Sequence, residues 1–180
     1  MLQSDLHSQV AAQAREMLFV HAGVAAWKGR AIVIPGRSFS GKTSLVAALV
    51  RAGAAYYSDE YAVFDTLGQV HPYAKPLSIR GESGQARSQC PVESLGGHAG
   101  TEPLPVGMIV AVQYEAGASW RPRPMSPGQA MMTLLDNTVK VREQPQATME
   151  TLQKVAMCAS AVKSKRGEAT PVASWLLSRS

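Results

Sequence analysis

Apolar positions along the chain switch between the two-residue period of strands and the 3.6-residue period of helices. Met17 to Ala22 and Val24 to Trp27 read as two strands, and Lys28-Gly29-Arg30 turns the chain toward a third. That third run, Ala31-Ile32-Val33-Ile34-Pro35, is continuously apolar and ends at Gly36, the pattern of a strand buried on both faces. Ser44 to Ala52 carries apolar residues at 45, 46, 49 and 50 before Gly53, which predicts a helix and its stop signal. Short strands follow at Ala55-Tyr56-Tyr57 and Tyr61-Ala62-Val63-Phe64, separated by Asp59-Glu60. Leu67-Gly68 then marks a hairpin turn into Gln69-Val70.

Periodicity fades from Gly81 to Pro105, where five glycines and three prolines in 25 residues predict a loop. A loop of that length in a compact domain is usually functional or mobile. Val106 to Tyr114 resumes as a strand, and Ser126-Pro127 opens a helix that runs to about Asn137. Gln146 to Ala159 predicts another helix, Ala161-Val162-Lys163 a last strand, and Thr170-Pro171 the cap of a helix ending near Leu177. At the other end, residues 4–16 have capping residues followed by Ala and Gln, and predict a short helix. No repeat or linker interrupts the order, so residues 1–180 are expected to form one α/β domain.

Composition narrows this modestly. Of 180 residues, 46% are hydrophobic and 17% charged, which supports a real core and excludes intrinsic disorder. No apolar run approaches the roughly 18–20 residues of a membrane span, and no secretory signal is visible, so a soluble cytoplasmic protein is expected. The formal net charge of +5 would suit a polyanion, yet the cations are scattered, with Lys163, Lys165 and Arg166 the densest group. Zinc-finger spacings and aromatic-basic RNA motifs are absent, so no nucleic-acid partner is expected. Cys90 and Cys158 fit neither a disulfide framework nor a metal-binding spacing.

One motif carries chemistry. Gly36-Arg37-Ser38-Phe39-Ser40-Gly41-Lys42-Thr43 satisfies G-x-x-x-x-G-K-S/T, the Walker A pattern of a P-loop. The bland alternative is a Gly/Ser-rich turn before an ordinary helix. Context favours the motif, because a buried strand precedes it and an amphipathic run beginning at Ser44 follows it. Glycines let backbone N–H groups turn toward phosphate oxygens, and the new helix adds the positive end of its dipole. Lys42 is expected to reach the β- and γ-phosphates of ATP, and the Thr43 hydroxyl to bind Mg²⁺.

Magnesium takes hard oxygen ligands, so one or two carboxylates are expected near Thr43. Asp59 and Glu60 lie 17 and 18 residues beyond Lys42, at the end of the next strand. Parallel strands joined by a helix would bring that end beside the phosphate loop. Their alternative is a solvated turn between Tyr57 and Tyr61. Tyr56 and Tyr57 read as packing residues. His21 closes an apolar strand and is either a satisfied core or edge residue or a donor to phosphate.

Together, Phe19-Val20-His21-Ala22-Gly23-Val24, Ile34-Pro35-Gly36, Ser40-Gly41-Lys42-Thr43, Ala52-Gly53 and Tyr57-Ser58-Asp59-Glu60 resemble the catalytic domain of HPr kinase/phosphorylase and its smaller relatives. That family has a histidine 21 residues before the P-loop lysine and an acidic pair 17 and 18 residues after it, intervals that His21, Asp59 and Glu60 reproduce. Leu77 to Gly81 resembles its Leu-Glu-Ile-Arg-Gly segment. The resemblance spans about Met17 to Gly81 and implies a P-loop domain with a mixed sheet and flanking helices, related to phosphoenolpyruvate carboxykinase. It also implies phosphate transfer from ATP or pyrophosphate to a serine of a protein. Lys42 and the loop amides would bind the β-phosphate and Thr43 would hold Mg²⁺. One acidic residue would take the serine proton, the other would help hold metal, and His21 would contact the transferred phosphate.

Departures from the pattern shape the expected substrate. The family's metal-binding glutamate in Leu-Glu-Ile-Arg-Gly is Ser78 here, with Glu82 the nearest replacement. Glu82-Ser83-Gly84-Gln85-Ala86-Arg87 replaces the glycine-rich segment that serves the reverse reaction, so phosphorolysis is not expected. The family's separate N-terminal domain has no counterpart, which puts HPr itself in doubt as the acceptor; a serine of a peptide or protein is expected, and a peptide or small-molecule hydroxyl is at least as expected as HPr. Short relatives include kinases of peptide maturation, such as those acting on lasso-peptide precursors. The resemblance also admits a homo-oligomer. Two other readings compete: a nucleotide-binding regulator or scaffold without turnover, and an NTPase coupled to a partner.

Overall fold

The computed structural model describes residues 17–37, 40–80, 87–139 and 144–179. A tight turn at Lys28-Gly29 folds β1 (Leu18–Trp27) onto β2 (Arg30–Pro35) as an antiparallel hairpin. From β2 the chain enters the loop and then α1 (Lys42–Arg51), β3 (Ala55–Ser58), β4 (Tyr61–Phe64) and β5 (Gln69–His71). Next come β6 (Leu77–Arg80), β7 (Arg87–Cys90), a 3-10 turn at Val92–Leu95 and the long β8 (Leu104–Tyr114). The chain ends with β9 (Arg123–Pro124), α2 (Pro127–Leu135), α3 (Pro145–Cys158), β10 (Ser160–Arg166) and α4 (Ala169–Arg179). The fold is mixed α/β.

Eight strands join in one mixed sheet, while β6 and β7 pair separately. β1 is its organiser: its first half pairs with β4, and its second half lies between β2 and β3. On the far side of β2, strands β8 and β10 run parallel to it in turn. The carboxyl ends of β2, β8 and β10 therefore share one edge. β3 is antiparallel to β1, as β2 is, so it too ends at that edge.

Both faces are covered, which explains the unbroken apolar run of β2. Ile32 and Ile34 lie in a core with Leu45 and Leu49 of α1 and Val172 and Leu176 of α4. Ala31 and Val33 face the opposite core, with Leu134 of α2 and Leu152 and Val155 of α3. Fully burying one such aliphatic side chain is worth about 1.5–3 kcal/mol. The loop that follows β2 thus hangs from a strand that is clamped on both sides. Among the described residues, no helix is long and apolar enough to cross a membrane.

Several elements differ from the sequence expectation, each for a physical reason. The two strands expected on either side of Gly23 are one, because Gly23 marks a close approach rather than a break. A Cβ there would lie 2.6 Å from Val46 Cγ2 of α1. The expected loop from Gly81 to Pro105 contains β7 and the 3-10 turn, with β7 held by its register against β6. The last strand runs on to Arg166 because it follows β8 residue for residue as far as Tyr114. The final helix begins at Ala169, so Thr170 and Pro171 sit in its first turn, where a missing N–H costs nothing. The expected start of α2 holds in detail: the Ser126 hydroxyl accepts from Gln129 N, and the Gln129 side chain accepts from Ser126 N. The helix expected over residues 4–16 lies outside the described residues.

Candidate functional site

The glycine-rich loop is fixed at both ends by the strands around it. Gly36 N–H donates to the His21 carbonyl of β1 at 3.1 Å, and Tyr114 N–H at the end of β8 donates to the Ser40 carbonyl at 3.3 Å. Ser38 and Phe39 lie outside the described residues. The loop doubles back between these points: a Cβ on Gly36 would lie 2.5 Å from Ser40 Oγ. Gly41 then starts the helix at φ 89°, a left-handed conformation that side chains resist. Its carbonyl accepts from Leu45 N–H at 3.2 Å, opening α1 at Lys42 with its first-turn amides toward the loop.

Lys42 folds back along the loop, its ammonium donating to the Arg37 carbonyl at 2.7 Å. Burial lowers its pKa below the usual 10.5, and the negative charge of Asp59 partly offsets that. Thr43, one residue on, donates its hydroxyl to Asp59 Oδ2 at 3.4 Å. Ser44 Oγ donates to the Gly41 carbonyl at 2.9 Å. Lysine, threonine and aspartate thus converge at the first turn of α1.

The approach of Asp59 is a product of local chemistry. Buried Ser58 accepts from both Glu60 N–H (3.1 Å) and Tyr61 N–H (3.0 Å), which folds the segment between β3 and β4 into a tight turn. Asp59 emerges on the loop side of that turn. Glu60 has its carboxylate 3.8 Å from Lys75 Nζ and is about half exposed. Of the acidic pair, Asp59 makes the contact with Thr43 among the described residues. β1 lies between β2 and β3, so the two strands are not sheet neighbours, yet their shared direction brings Asp59 to the loop edge.

His21 stands at the same edge through its backbone, while its exposed imidazole packs against Tyr61 with ring centroids 4.6 Å apart. Phe19 and Tyr73 extend this aromatic group around Tyr61. Ser78 lies on β6, and Glu82 lies outside the described residues.

Two residues join the site that sequence reasoning passed over. Arg166, only 1% exposed at the end of β10, donates through Nη2 to the Gly41 carbonyl and to Ser44 Oγ, both at 2.6 Å. Its Nη1 donates to Gly167 O at 2.7 Å, so one guanidinium ties the loop to the far strand. Burial lowers its pKa, with Tyr114 and Glu168 opposing the shift. Nothing local in the sequence singled it out from Lys163 and Lys165. The second is Tyr56, read from sequence as a packing residue. Its ring is buried, but its hydroxyl lies 3.1 Å from Asp59 Oδ1 and 2.8 Å from Lys75 O. Burial first, then the charge of Asp59, pushes its pKa well up, so it stays a neutral donor.

Between them, Thr43 and Tyr56 hold both oxygens of Asp59. Tyr56→Phe removes the hydroxyl and keeps the ring, so the fold is expected to survive with a loss of about 1–2 kcal/mol. The expected kinetic signature, once turnover is assayed, is a several-fold fall in kcat with an unchanged KM for nucleotide. An equal loss of stability with unaltered kcat would show the hydroxyl to be structural only.

Thr43 Oγ1 and one carboxylate are hard oxygen donors, which suits an ion that keeps several waters and completes its shell with phosphate. No cluster of three or more His, Cys, Asp or Glu able to hold a metal occurs among the described residues, which disfavours a closed all-protein site of the zinc type. The residues present fit Mg²⁺ delivered with a phosphate ligand.

Fold and site together define a mixed α/β protein with a glycine-rich strand–loop–helix at the carboxyl edge of its sheet. The chain is similar to the solved HPr(Ser) kinase/phosphatase from Coxiella burnetii, with a TM-score of 0.49 and 14% identity over 89% of this chain and 93% of that one. No family model and no curated protein sequence matches the chain.

Proposed function

We propose that the chain is an ATP- and Mg²⁺-dependent kinase that transfers a phosphoryl group to a hydroxyl, a serine of a peptide or protein. The observation that carries this reading is the 3.4 Å approach of the Asp59 carboxylate to the Thr43 hydroxyl, directly after Lys42 at the start of α1. A bare anion-binding turn needs no carboxylate beside it, because that charge repels the anion. A phosphoryl-transfer site needs one, for the metal or for the attacking hydroxyl. The motif spacing and the resemblance to the HPr kinase family support the same reading.

Lys42 would exchange the Arg37 carbonyl for phosphate oxygens, and the amides of the loop and first turn would hold the rest of the phosphate chain. Bound Mg²⁺ would supply charge neutralisation at the phosphates, held by Thr43 and Asp59. Glu60, the more exposed of the pair, is the carboxylate open to an incoming acceptor. It would take the serine proton as the Oγ–P bond forms and the bond from Pγ to the bridging oxygen breaks, leaving ADP. His21, beside Gly36, would donate to the moving phosphoryl group.

The test is transfer of γ-labelled phosphate from Mg-ATP to a library of serine-containing peptides. Label on a subset of peptides is the expected result; neither nucleotide binding nor transfer would sink the reading. A second reading, a nucleotide-binding regulator without turnover, is favoured by Ser78, which stands where the resemblance places a metal-binding glutamate. Tight nucleotide binding with no transfer to any acceptor would select it.

Lys42 also sets a pH dependence. Phosphate binding needs the ammonium form, and phosphate would raise a pKa that burial lowers in the free protein. ATP affinity is therefore expected to be full at neutral pH and to fall as pH rises through the lowered free-state pKa of Lys42, below 10.5. Calorimetry across alkaline pH reads this, and proton uptake on binding in that range is the companion signal.

A further inference from the structure

The two flanks of the glycine-rich loop differ in kind. On the β3 side stand Asp59 and Thr43, the metal-type donors. On the opposite side end the two strands that run parallel to β2 in turn, β8 at Tyr114 and β10 at Arg166. Ligands of open parallel sheets bind outside the carboxyl ends of the strands, across the point where the chain departs in opposite directions. A triphosphate with its terminal end at Lys42, Thr43 and Asp59 would direct the remainder away from the carboxylates, past Gly41 and Ser44. The next side chain on that path is Tyr114.

Tyr114 is built into this flank. Its N–H holds the Ser40 carbonyl at 3.3 Å, and its Cβ lies 3.1 Å from where a Cβ on Gly41 would sit. The Arg166 guanidinium lies 5.5 Å from the ring centroid, so the ring is backed by a buried cation. Even so, Tyr114 is 49% exposed, so part of its ring is open to a ligand. The segment beyond it is ordered: Glu115 N–H donates to Arg166 O at 3.0 Å, Gly167 N–H to Ala118 O at 2.9 Å, and Lys165 pairs with Glu115 at 2.6 Å. The competing aromatic ring, Tyr61 on the acidic flank, is already covered by His21, Phe19 and Tyr73.

We propose that Tyr114 is the platform on which the base of a nucleoside triphosphate stacks, with Arg166 holding the ring and the phosphate loop in one rigid unit. This rests on the nucleotide-binding reading and adds to it the place of the base. Stacking is tolerant of base identity, so ATP and GTP should both use the platform.

The test compares Mg-ATP with Mg-tripolyphosphate, which has the phosphates and no base, by calorimetry on the full chain. Wild type is expected to bind ATP more tightly than tripolyphosphate. Tyr114→Ala is expected to weaken ATP by roughly 5- to 150-fold and leave tripolyphosphate unchanged. Tyr114→Phe and Tyr114→Trp should retain ATP affinity, and Phe also controls for folding because it keeps the packed ring. Unchanged ATP affinity in Tyr114→Ala, or an equal loss for both ligands, would overturn the proposal. Equal wild-type affinity for the two ligands would overturn it while leaving the phosphate site standing. Binding of neither ligand would overturn both.

Discussion

Asp59→Asn is expected to abolish phosphoryl transfer, by about 10²–10⁴-fold in kcat, while nucleotide binding largely survives. The substitution is nearly isosteric, and the Asn carbonyl oxygen can still accept from Tyr56 Oη or Thr43 Oγ1. What disappears is the negative charge at the loop. Triphosphate is itself anionic, so losing a nearby carboxylate relieves repulsion in the ground state, and affinity should hold or rise at neutral pH. Transfer would suffer because Mg²⁺, if held as proposed, would lose its protein carboxylate just as charge shifts onto the leaving oxygen. Loss of the carboxylate also removes the one influence that raises the Lys42 pKa, so the alkaline fall in ATP affinity should begin at lower pH in the variant. Separate measurement of KM and kcat decides the matter: a kcat within threefold of wild type would remove Asp59 from the reaction.

The second large effect is expected at Arg166. Replacing it with methionine keeps much of the volume and removes the guanidinium that reaches Gly41 O, Ser44 Oγ and Gly167 O. Two effects oppose each other. Removing a buried cation recovers desolvation free energy, and buried charges are often replaceable by apolar groups for this reason. Stranding acceptors costs stability, and hydrogen bonds to charged groups are worth about 1.5–3 kcal/mol each. The Gly41 carbonyl keeps Leu45 N–H and Ser44 Oγ as donors, so Gly167 O is the group most exposed to loss. A net destabilisation of about 2–3 kcal/mol follows, or roughly 5–10 °C in Tm for a chain of this size. Nucleotide affinity should fall with it, because the loop and the Tyr114 ring lose their common tie. Arg166→Lys should not rescue, since one ammonium cannot span acceptors held by both ends of a planar fork. Thermal melting of the two variants beside wild type checks the ordering; a Lys variant as stable as wild type would refute the bridging role.

How far the sequence revealed this arrangement depends on the range over which each feature is decided. The strand Ala31–Pro35, the loop and the start of α1 were legible because apolar run, glycines and helix period sit side by side. The Ser126-Pro127 helix start was legible for the same reason. Asp59 was found by its interval from Lys42, but the assumed route was too simple: β1 lies between β2 and β3, and a turn at Ser58 aims the carboxylate. Spacing also could not separate Asp59 from Glu60, because that same turn decides which carboxylate reaches Thr43. Tyr56 reads as a strand aromatic until the turn three residues later brings Asp59 back to its hydroxyl. Arg166 and Tyr114 were out of reach, since their positions are set by the pairing of β8 with β10 and of β8 with β2. Gly23 misled in the opposite sense, because a glycine that admits a helix looks the same in sequence as one that ends a strand.

The contact between Arg166 and Gly41 joins positions 125 residues apart. A ribosome would therefore complete the glycine-rich loop and α1 well before the residue whose guanidinium fastens the Gly41 carbonyl. On the proposed function, competence to hold a nucleotide would then wait for β10 to dock beside β8. A chain lacking β10 would display the loop motif without its fastening.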